Sequence, residues 1–226
     1  MKQFLTIYVL LILLFSTQII NGQPKTVIIG FEGGPSLSLI LASSGVYKDS
    51  EPLIGGTAGL NVQYNFTKLL SLKTGVIYER KGTQLPSKSD QLPPDGLMSI
   101  NFDYLSIPIL LKLSFGQNIQ FFINTGPNFS YLFSQSIFYK PKGEKSYKVA
   151  NERVSYKPFD IGVILGVGIS IPIRNRFKIS LEIKDNLGLM NVQKDNIEIP
   201  ILSFPNESHN GNLNTTSFIV GFCYRL

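Results

Sequence analysis

The sequence has 226 residues, a formal net charge of +6, a hydrophobic fraction of 43% and a single cysteine, Cys223. One cysteine excludes an intramolecular disulfide and a cysteine-rich metal site, and the length suits one barrel-sized domain. No glycine-rich phosphate loop joins a strand to a helix, so the sequence gives no support for a nucleotide site.

The first 22 residues, MKQFLTIYVLLILLFSTQIING, begin with a charge at Lys2 and continue with an apolar run from Phe4 to Phe15. A polar stretch then ends at Gly22. This layout is typical of a secretory signal, and the apolar run is too short to span a membrane as a stable helix. We predict a cleaved signal peptide at 1–22 and a mature β-barrel domain at 23–226.

After this leader, every second side chain is apolar in eight segments. In 177–184, for example, phenylalanine, isoleucine and leucine alternate with lysine, serine and glutamate. A period of two places the two sets on opposite faces of a β-strand. The predicted strands are 27–40, 55–66, 70–81, 101–115, 119–133, 157–172, 177–184 and 215–226.

The connections between these strands alternate in length. Short turns are predicted near 67–69, 116–118 and 174–176. Long polar loops are predicted at 41–54, 82–100, 134–156 and 190–214. Short turns at one rim and long loops at the other are typical of outer-membrane barrels, with the short turns in the periplasm. We therefore predict an all-β, eight-stranded antiparallel up-and-down transmembrane β-barrel, integral to the outer membrane of a Gram-negative bacterium.

Aromatic residues at the strand ends support this orientation, because they collect at both membrane interfaces. The predicted periplasmic girdle consists of Tyr64, Phe66, Phe115, Phe121, Phe177, Phe222 and Tyr224. The predicted outer girdle consists of Tyr78, Phe102, Tyr104, Tyr131, Phe133, Tyr156 and Phe159.

Four prolines fall within the predicted strands before their last residue, where each removes one hydrogen bond from a ladder. We expect β-bulges or strand ends at these positions. They are Pro35, Pro108, Pro127 and Pro158.

Two segments resemble the PorT-like outer-membrane β-barrel family. They are DYLSIPILLKL at 103–113 and TGPNFSYLF at 125–133, and the pair Gly33–Gly34 in the first strand fits the same pattern. The resemblance covers nearly the whole mature chain and implies a small eight-stranded barrel with a leader. One departure is the final residue, Leu226, where such barrels commonly end in an aromatic residue.

Charged side chains also occur on the polar faces of the strands, which would line the barrel interior. An eight-stranded barrel is about wide enough for side chains to fill, and buried charges of mixed sign are expected to pair. We predict a neutralising polar plug, with a narrow ion path or an internal ligand site as the alternative. The predicted lumen network is Glu32, Lys73, Glu79, Lys112, Asp160, Glu182, Lys184 and Arg225.

The third long loop is the best candidate for binding. Its basic residues are Lys140, Lys142, Lys145, Lys148 and Arg153, and they occur with Glu144 and Glu152. Cations of this kind engage surface phosphates or an acidic partner. The alternative is a solvated loop whose charge prevents aggregation.

Catalysis has little support, because the one histidine, His209, lies in the last long loop among Glu207, Ser208 and Asn210. We predict no catalytic, cofactor or metal residues and no enzymatic activity. The expected role is structural or surface-binding. Outer-membrane lipid including lipopolysaccharide is the expected partner, an envelope protein is a second candidate, and nucleic acid is not expected. Two alternatives are a secreted soluble calyx that binds an apolar ligand, and an outer-membrane lipid-modifying enzyme.

Overall fold

The computed structural model of the protein describes residues 26–41, 50–86, 96–150, 156–191 and 211–226. The proposed signal peptide, Arg153 and His209 lie outside these ranges. Within them, no helix is long and apolar enough to cross a membrane. The strands are β1 (Thr26–Leu41), β2 (Glu51–Asn65), β3 (Leu70–Pro86), β4 (Leu97–Phe115), β5 (Gln120–Lys140), β6 (Tyr147–Ala150), β7 (Phe159–Arg174), β8 (Phe177–Gly188) and β9 (Asn212–Arg225).

Eight of these strands close into an antiparallel barrel, which confirms the predicted fold. The strand order is β4-β3-β2-β1-β9-β8-β7-β5, and β4 pairs with β5 to complete the ring. Following paired residues around the wall from Ser130 of β5 leads back to Gln120 of the same strand, ten residues away. A stagger of this kind requires tilted strands, and about 35–45° is usual for such barrels.

The wall of the barrel is apolar on its outer surface. Large exposed hydrophobic side chains point outward from every strand of the ring, including Phe121 at 62%, Leu165 at 54% and Ile109 at 43% exposure. Their chain neighbours on the opposite face are mostly buried and polar. An apolar exterior around a polar interior is the pattern of a barrel embedded in lipid. The soluble calyx needs the opposite face assignment, so that alternative is wrong.

The short turns lie at 66–69, 116–119 and 175–176, as predicted. Gly116 has a φ of 102°, and a Cβ atom there would lie 2.2 Å from the carbonyl oxygen of Ile119. The tight turn therefore requires glycine at this position. The opposite end differs from the prediction, because β3, β4 and β5 continue well into the segments predicted as loops.

The short strand β6 was also not predicted. It pairs with β5 through Ile137, Phe138 and Tyr139, beyond the point where β7 stops pairing with β5. Part of the predicted loop 134–156 is therefore a β-hairpin, formed by the end of β5, a turn and β6. This hairpin rises from the end of the barrel opposite the short turns.

The prolines do not produce the expected bulges. Pro35, Pro108 and Pro127 each pair in register with one neighbouring strand, and the ladder on the other side skips two residues without a shift. A proline lacks only one N–H, so the loss stays on one side of the strand. Pro158 directly precedes β7, so its predicted place at a strand end is correct.

A bulge does occur at Phe133 in β5. Tyr104 of β4 pairs with Leu132, and Asp103 pairs with Ser134, so Phe133 is the extra residue. An extra residue reverses which side chains face inward in the remainder of a strand. Tyr131 therefore faces outward, whereas Gln135, Ile137 and Tyr139 are buried inside.

The predicted outer girdle is partly wrong. Phe102, Tyr104 and Tyr156 are buried inside the barrel, with exposures of 0 to 1%. On β4, Phe102 and Tyr104 are four and two residues before Ser106, which faces inward. Alternate residues of a strand share a face, so these two rings cannot reach the lipid. Tyr78, Tyr131, Phe133 and Phe159 do lie on the outer surface, where the rings of Tyr131 and Phe159 are 5.3 Å apart.

Candidate functional site in the lumen and at the outer rim

Charged side chains fill the middle of the barrel. Seven of the eight residues predicted for the lumen network are buried there: Glu32, Lys73, Glu79, Lys112, Asp160, Glu182 and Lys184. Arg225 does not join them, which corrects the prediction. It has the inward parity but is the last residue of β9, at the mouth of the barrel, where it is exposed and its Nη2 donates to the carbonyl oxygen of Asn175 at 2.7 Å.

Lys73 joins two carboxylates in the layer nearer the short turns. Its Nζ lies 2.6 Å from Glu32 Oε2 and 3.4 Å from Glu182 Oε2. Amide groups complete this layer, because Asn61 Nδ2 donates to Glu32 at 2.7 Å and Asn124 Nδ2 donates to Glu182 at 3.1 Å. Five strands, β1, β2, β3, β5 and β8, are linked to one another through the two carboxylates. Lys184 adds a second cation 4.0 Å from Glu32 Oε1.

A second ionic layer lies further toward the outer end. Lys81 Nζ is 2.9 Å from Glu79 Oε2, and Ser106 Oγ donates to the same oxygen at 2.5 Å. The predicted network omitted Lys81, although its alternation with Lys73 and Glu79 on β3 places it on the enclosed face. With Lys81 included, the charged residues buried inside the lumen are four lysines and four carboxylates. The described interior is therefore balanced in formal charge.

Lys112 is held differently from the other buried lysines. Its Nζ donates to Gln63 Oε1 at 3.2 Å and lies 3.9 Å from the centre of the Phe122 ring. A cation over an aromatic face is attracted by the electron density of the ring. No cluster of metal-ligating groups occurs in the described part of the chain.

Several buried polar atoms near the second layer have no hydrogen-bond partner in the protein. They are Tyr104 OH, Asn128 Oδ1, Asp160 Oδ1, Asn186 Oδ1 and Thr215 Oγ1. Buried groups of this kind are commonly satisfied by enclosed water. A narrow ion path or an internal ligand site is the alternative to a polar plug that the sequence leaves open. Such a site would lie in this part of the lumen.

An apolar cluster lies inside the barrel above these polar layers. We call it the cap: Ile40, Leu85, Met98, Ile100, Phe102, Tyr104, Leu132, Ile137, Tyr156 and Leu213. The rings of Phe102 and Tyr156 are 4.6 Å apart within it. Five of the ten cap residues lie in strand extensions that the sequence did not predict.

The outer surface changes character at the same level. Arg80 Nε donates to Asp103 Oδ1 at 2.8 Å, and Tyr78 OH donates to the same oxygen at 2.6 Å. Beyond this group the outward positions of β3 and β4 are polar, as at Gln84 and Ser99, which are hydrogen bonded at 3.3 Å. Above the lipid, the wall is therefore polar outside and apolar inside, the reverse of its membrane-spanning part.

The basic residues predicted for loop binding lie along the β5–β6 hairpin. Lys140, Lys142, Lys145 and Lys148 are all exposed, and so is Glu144. Tyr147 is also exposed and its ring packs 5.7 Å from that of Tyr139, which is buried. The hairpin is thus anchored to the barrel wall while its lysines face water. Arg153 is not among the residues described.

Together, the closed ring of tilted strands, the apolar lipid-facing wall and the enclosed charges define an integral outer-membrane β-barrel protein. The family described as the outer membrane protein beta-barrel domain matches residues 18–194. The chain belongs to this family, and it is located in the outer membrane of a Gram-negative bacterium. No curated protein matches the chain.

Solved structures of small outer-membrane barrels are similar to this chain. OprG from Pseudomonas aeruginosa has a TM-score of 0.52 at 13% identity, and the match covers 89% of this chain and 97% of that protein. Neisserial surface protein A has a TM-score of 0.49 at 11% identity, with coverage of 88% and 96%. Outer membrane protein W from E. coli has a TM-score of 0.42 at 12% identity, with coverage of 90% and 100%. At such identities, the likeness to OprG supports the fold alone.

Proposed function

We propose that the protein is a closed, surface-binding barrel of the outer membrane with no catalytic activity. Its binding element is the lysine-rich β5–β6 hairpin, and its ligand is the phosphate-bearing part of lipopolysaccharide. Within its family, we place the chain in the PorT-like group on the segments 103–113 and 125–133. The predicted signal peptide delivers residues 23–226 to the membrane.

The observation that supports this proposal is the set of charged and apolar side chains buried inside the barrel. The lumen contains paired charges at two levels, and the cap lies over them. Such a barrel offers no wide path for solutes, because the interior of an eight-stranded barrel is about filled by side chains. Function is then expected at the exposed rim, where the polar extensions of β3, β4 and β5 stand above the lipid.

The hairpin has the chemistry needed to bind phosphate groups. Four lysines in nine residues face water, with Glu144 as the one acidic residue between them. Each lysine near an anionic surface contributes about 1 kcal/mol of attraction. The pairing of β6 with β5 and the packing of Tyr147 on Tyr139 limit the motion of the hairpin, which lowers the entropy lost on binding.

The test is titration of the purified protein in detergent micelles with lipopolysaccharide, with dephosphorylated lipopolysaccharide as the ligand control. The triple variant Lys142→Gln, Lys145→Gln, Lys148→Gln is expected to bind at least about tenfold more weakly, because three attractive charges are lost. The matched control is Arg174→Gln, Arg176→Gln, Arg225→Gln, which removes three cations at the other end and is expected to bind normally. Equal affinity for both forms of lipopolysaccharide would refute the proposal.

A lysine-dependent association with an acidic envelope protein, without lipopolysaccharide binding, would identify the other candidate partner and also refute the proposed ligand. The absence of catalysis is tested separately with lipid substrates and the variant His209→Ala. We expect no turnover by either protein. Hydrolysis or acyl transfer that is lost in the variant would show an enzyme instead.

A further inference from the structure

Three arginines cluster at the end of the barrel that carries the short turns. Arg174 ends β7, Arg176 lies in the β7–β8 turn, and Arg225 ends β9; all three are exposed. Arg176 Nη1 donates to Tyr224 OH at 3.1 Å. Arg225 donates from its backbone nitrogen to the carbonyl oxygen of Arg176 at 2.8 Å. These contacts hold the cations together at one edge of the barrel.

An apolar groove of about 470 Å³ lies on the lipid-facing wall beside this cluster. Its lining includes Ile29, Phe31, Val62, Ile173, Phe177 and Tyr224. The last three are the immediate chain neighbours of Arg174, Arg176 and Arg225. Arg174, which pairs with Phe177, and Arg176 therefore lie at the end of the groove that opens toward the periplasmic interface, and Arg225 follows Tyr224 at the adjoining barrel mouth.

No acidic side chain in the described ranges faces this edge. The aspartates and glutamates of those ranges are enclosed in the lumen or lie on the outer half of the molecule, as Glu144 and Asp185 do. Lys178 lies nearby at the barrel mouth and donates to Gln120 Oε1 at 2.8 Å, so it adds to the positive charge. The edge is thus complementary to an anion at the membrane interface.

We propose that this edge binds a glycerophospholipid with an anionic head group in the periplasmic leaflet of the outer membrane. One acyl chain occupies the groove between β1 and β9, and the phosphate contacts the arginines. Guanidinium groups bind phosphate through paired N–H donors, and the aromatic rings of Phe177 and Tyr224 lie at the level of the head groups. This site is separate from the hairpin and does not depend on the function proposed for it.

The chain contains no tryptophan, so one introduced tryptophan can report on lipid at the groove. The experiment uses Val62→Trp in vesicles that contain phosphatidylglycerol and phosphatidylcholine, with either lipid carrying brominated acyl chains that quench fluorescence. We expect brominated phosphatidylglycerol to be enriched around this reporter by about fivefold or more over phosphatidylcholine, because each arginine near a charged surface attracts anionic lipid.

Two controls make the result specific. The reporter Leu111→Trp lies on the lipid-facing side of β4, next to the uncharged turn 116–119, and is expected to be quenched equally by both lipids. The second control is a triple variant made in the Val62→Trp background. It carries Arg174→Gln, Arg176→Gln and Arg225→Gln and is expected to lose the preference for phosphatidylglycerol. The single variant Arg174→Gln tests the same point with the least disturbance of the turn.

Equal quenching by the two lipids at position 62 would overturn the proposal. So would a preference of the same size at position 111, or one that survives removal of the arginines. Loss of the preference at low concentrations of inorganic phosphate, but not in sodium chloride of equal ionic strength, would show that the site takes the free ion rather than the lipid, and would also overturn it. None of these outcomes affects lipopolysaccharide binding by the hairpin, so the two proposals fail separately.

Discussion

At the scale of single residues, Lys73 is a buried lysine that contacts two carboxylates. It pairs with Glu32 of β1 and with Glu182 of β8, two strands that only β9 separates in the ring. The sequence predicted that all three face inward, because inward direction depends only on the period of two. Which residues contact one another depends on the stagger between strands, which the alternation within one strand does not specify.

The variant Lys73→Met is expected to destabilise the barrel by about 3–5 kcal/mol, because it leaves two buried carboxylates without their shared cation. Urea unfolding in lipid vesicles measures the change. The matched control is Lys68→Met, which removes an exposed lysine in the β2–β3 turn and is expected to have little effect. Adding Glu32→Gln and Glu182→Gln to Lys73→Met is expected to restore part of the stability. A fully stable Lys73→Met would show that this ion cluster does not hold the wall together.

The corrected outer girdle can also be tested at single residues. We expect tryptophan at Phe133, which is 42% exposed, to be quenched by lipids brominated near the head group. Tryptophan at Phe102, which is inside the cap, is expected to be shielded from the same lipids. The two positions lie at similar levels of the wall. A difference in quenching therefore depends only on whether the side chain points outward or inward. Equal quenching would place Phe102 on the lipid face and contradict the inward assignment.

At the scale of elements, the bulge in β5 separates what the sequence could predict from what it could not. Up to Tyr131 the alternation predicts the faces correctly. After Phe133 the same odd positions, Gln135, Ile137 and Tyr139, face inward. The period of two contains no signal for an inserted residue. The same limit explains why 134–156 was predicted as a loop, although part of it is a paired hairpin.

Strand β7 has glycines at lumen-facing positions. They leave space for large side chains of the neighbouring strands. A Cβ atom at Gly168 would lie 2.3 Å from the backbone carbonyl oxygen of Leu181 and 2.6 Å from Phe122 Cζ. At Gly162 it would lie 2.3 Å from Asn186 Oδ1. The lumen side chains of β5 and β8 therefore extend over β7, and the alternation of glycine with isoleucine and valine in this strand reflects that packing.

We expect Gly168→Val to destabilise the barrel by about 1–3 kcal/mol, because the added side chain displaces β8 and the Phe122 ring. The neighbouring substitution Val167→Leu, on the lipid face, is the control and is expected to be nearly neutral. Heat-dependent mobility in electrophoresis, measured over a range of temperatures, reports the midpoint of unfolding for both. A neutral Gly168→Val would mean that the wall tolerates a side chain at this position.

At the scale of the whole molecule, the barrel reverses its polarity where it leaves the membrane. In the lipid, the outer surface is apolar and the lumen is charged. Above the Arg80–Asp103 pair, the outer surface is polar and the lumen holds the cap. The outer surface is therefore apolar where it contacts lipid and polar where it contacts water. The sequence rule that apolar rows face outward holds only inside the bilayer, so it could not predict the cap.

The charged pairs and the cap occupy different levels of the lumen, and conductance measurements can test whether each of them blocks ions. We expect negligible ion conductance for the wild-type protein in a planar bilayer, because ions would have to pass both the charged pairs and the cap. Opening the cap alone with Ile100→Ala, Phe102→Ala and Leu132→Ala leaves the lysine–carboxylate pairs in place, and we expect the barrel to stay closed. The same holds for replacing both ionic layers, Glu32, Lys73 and Glu182 together with Glu79 and Lys81, with serine beneath an intact cap. Only the combined variant is expected to conduct, since an apolar constriction excludes water and an ionic plug fills the remaining width.

Conductance by the wild type would contradict the closed lumen, and conductance by either partial variant would show that a single layer provides the seal.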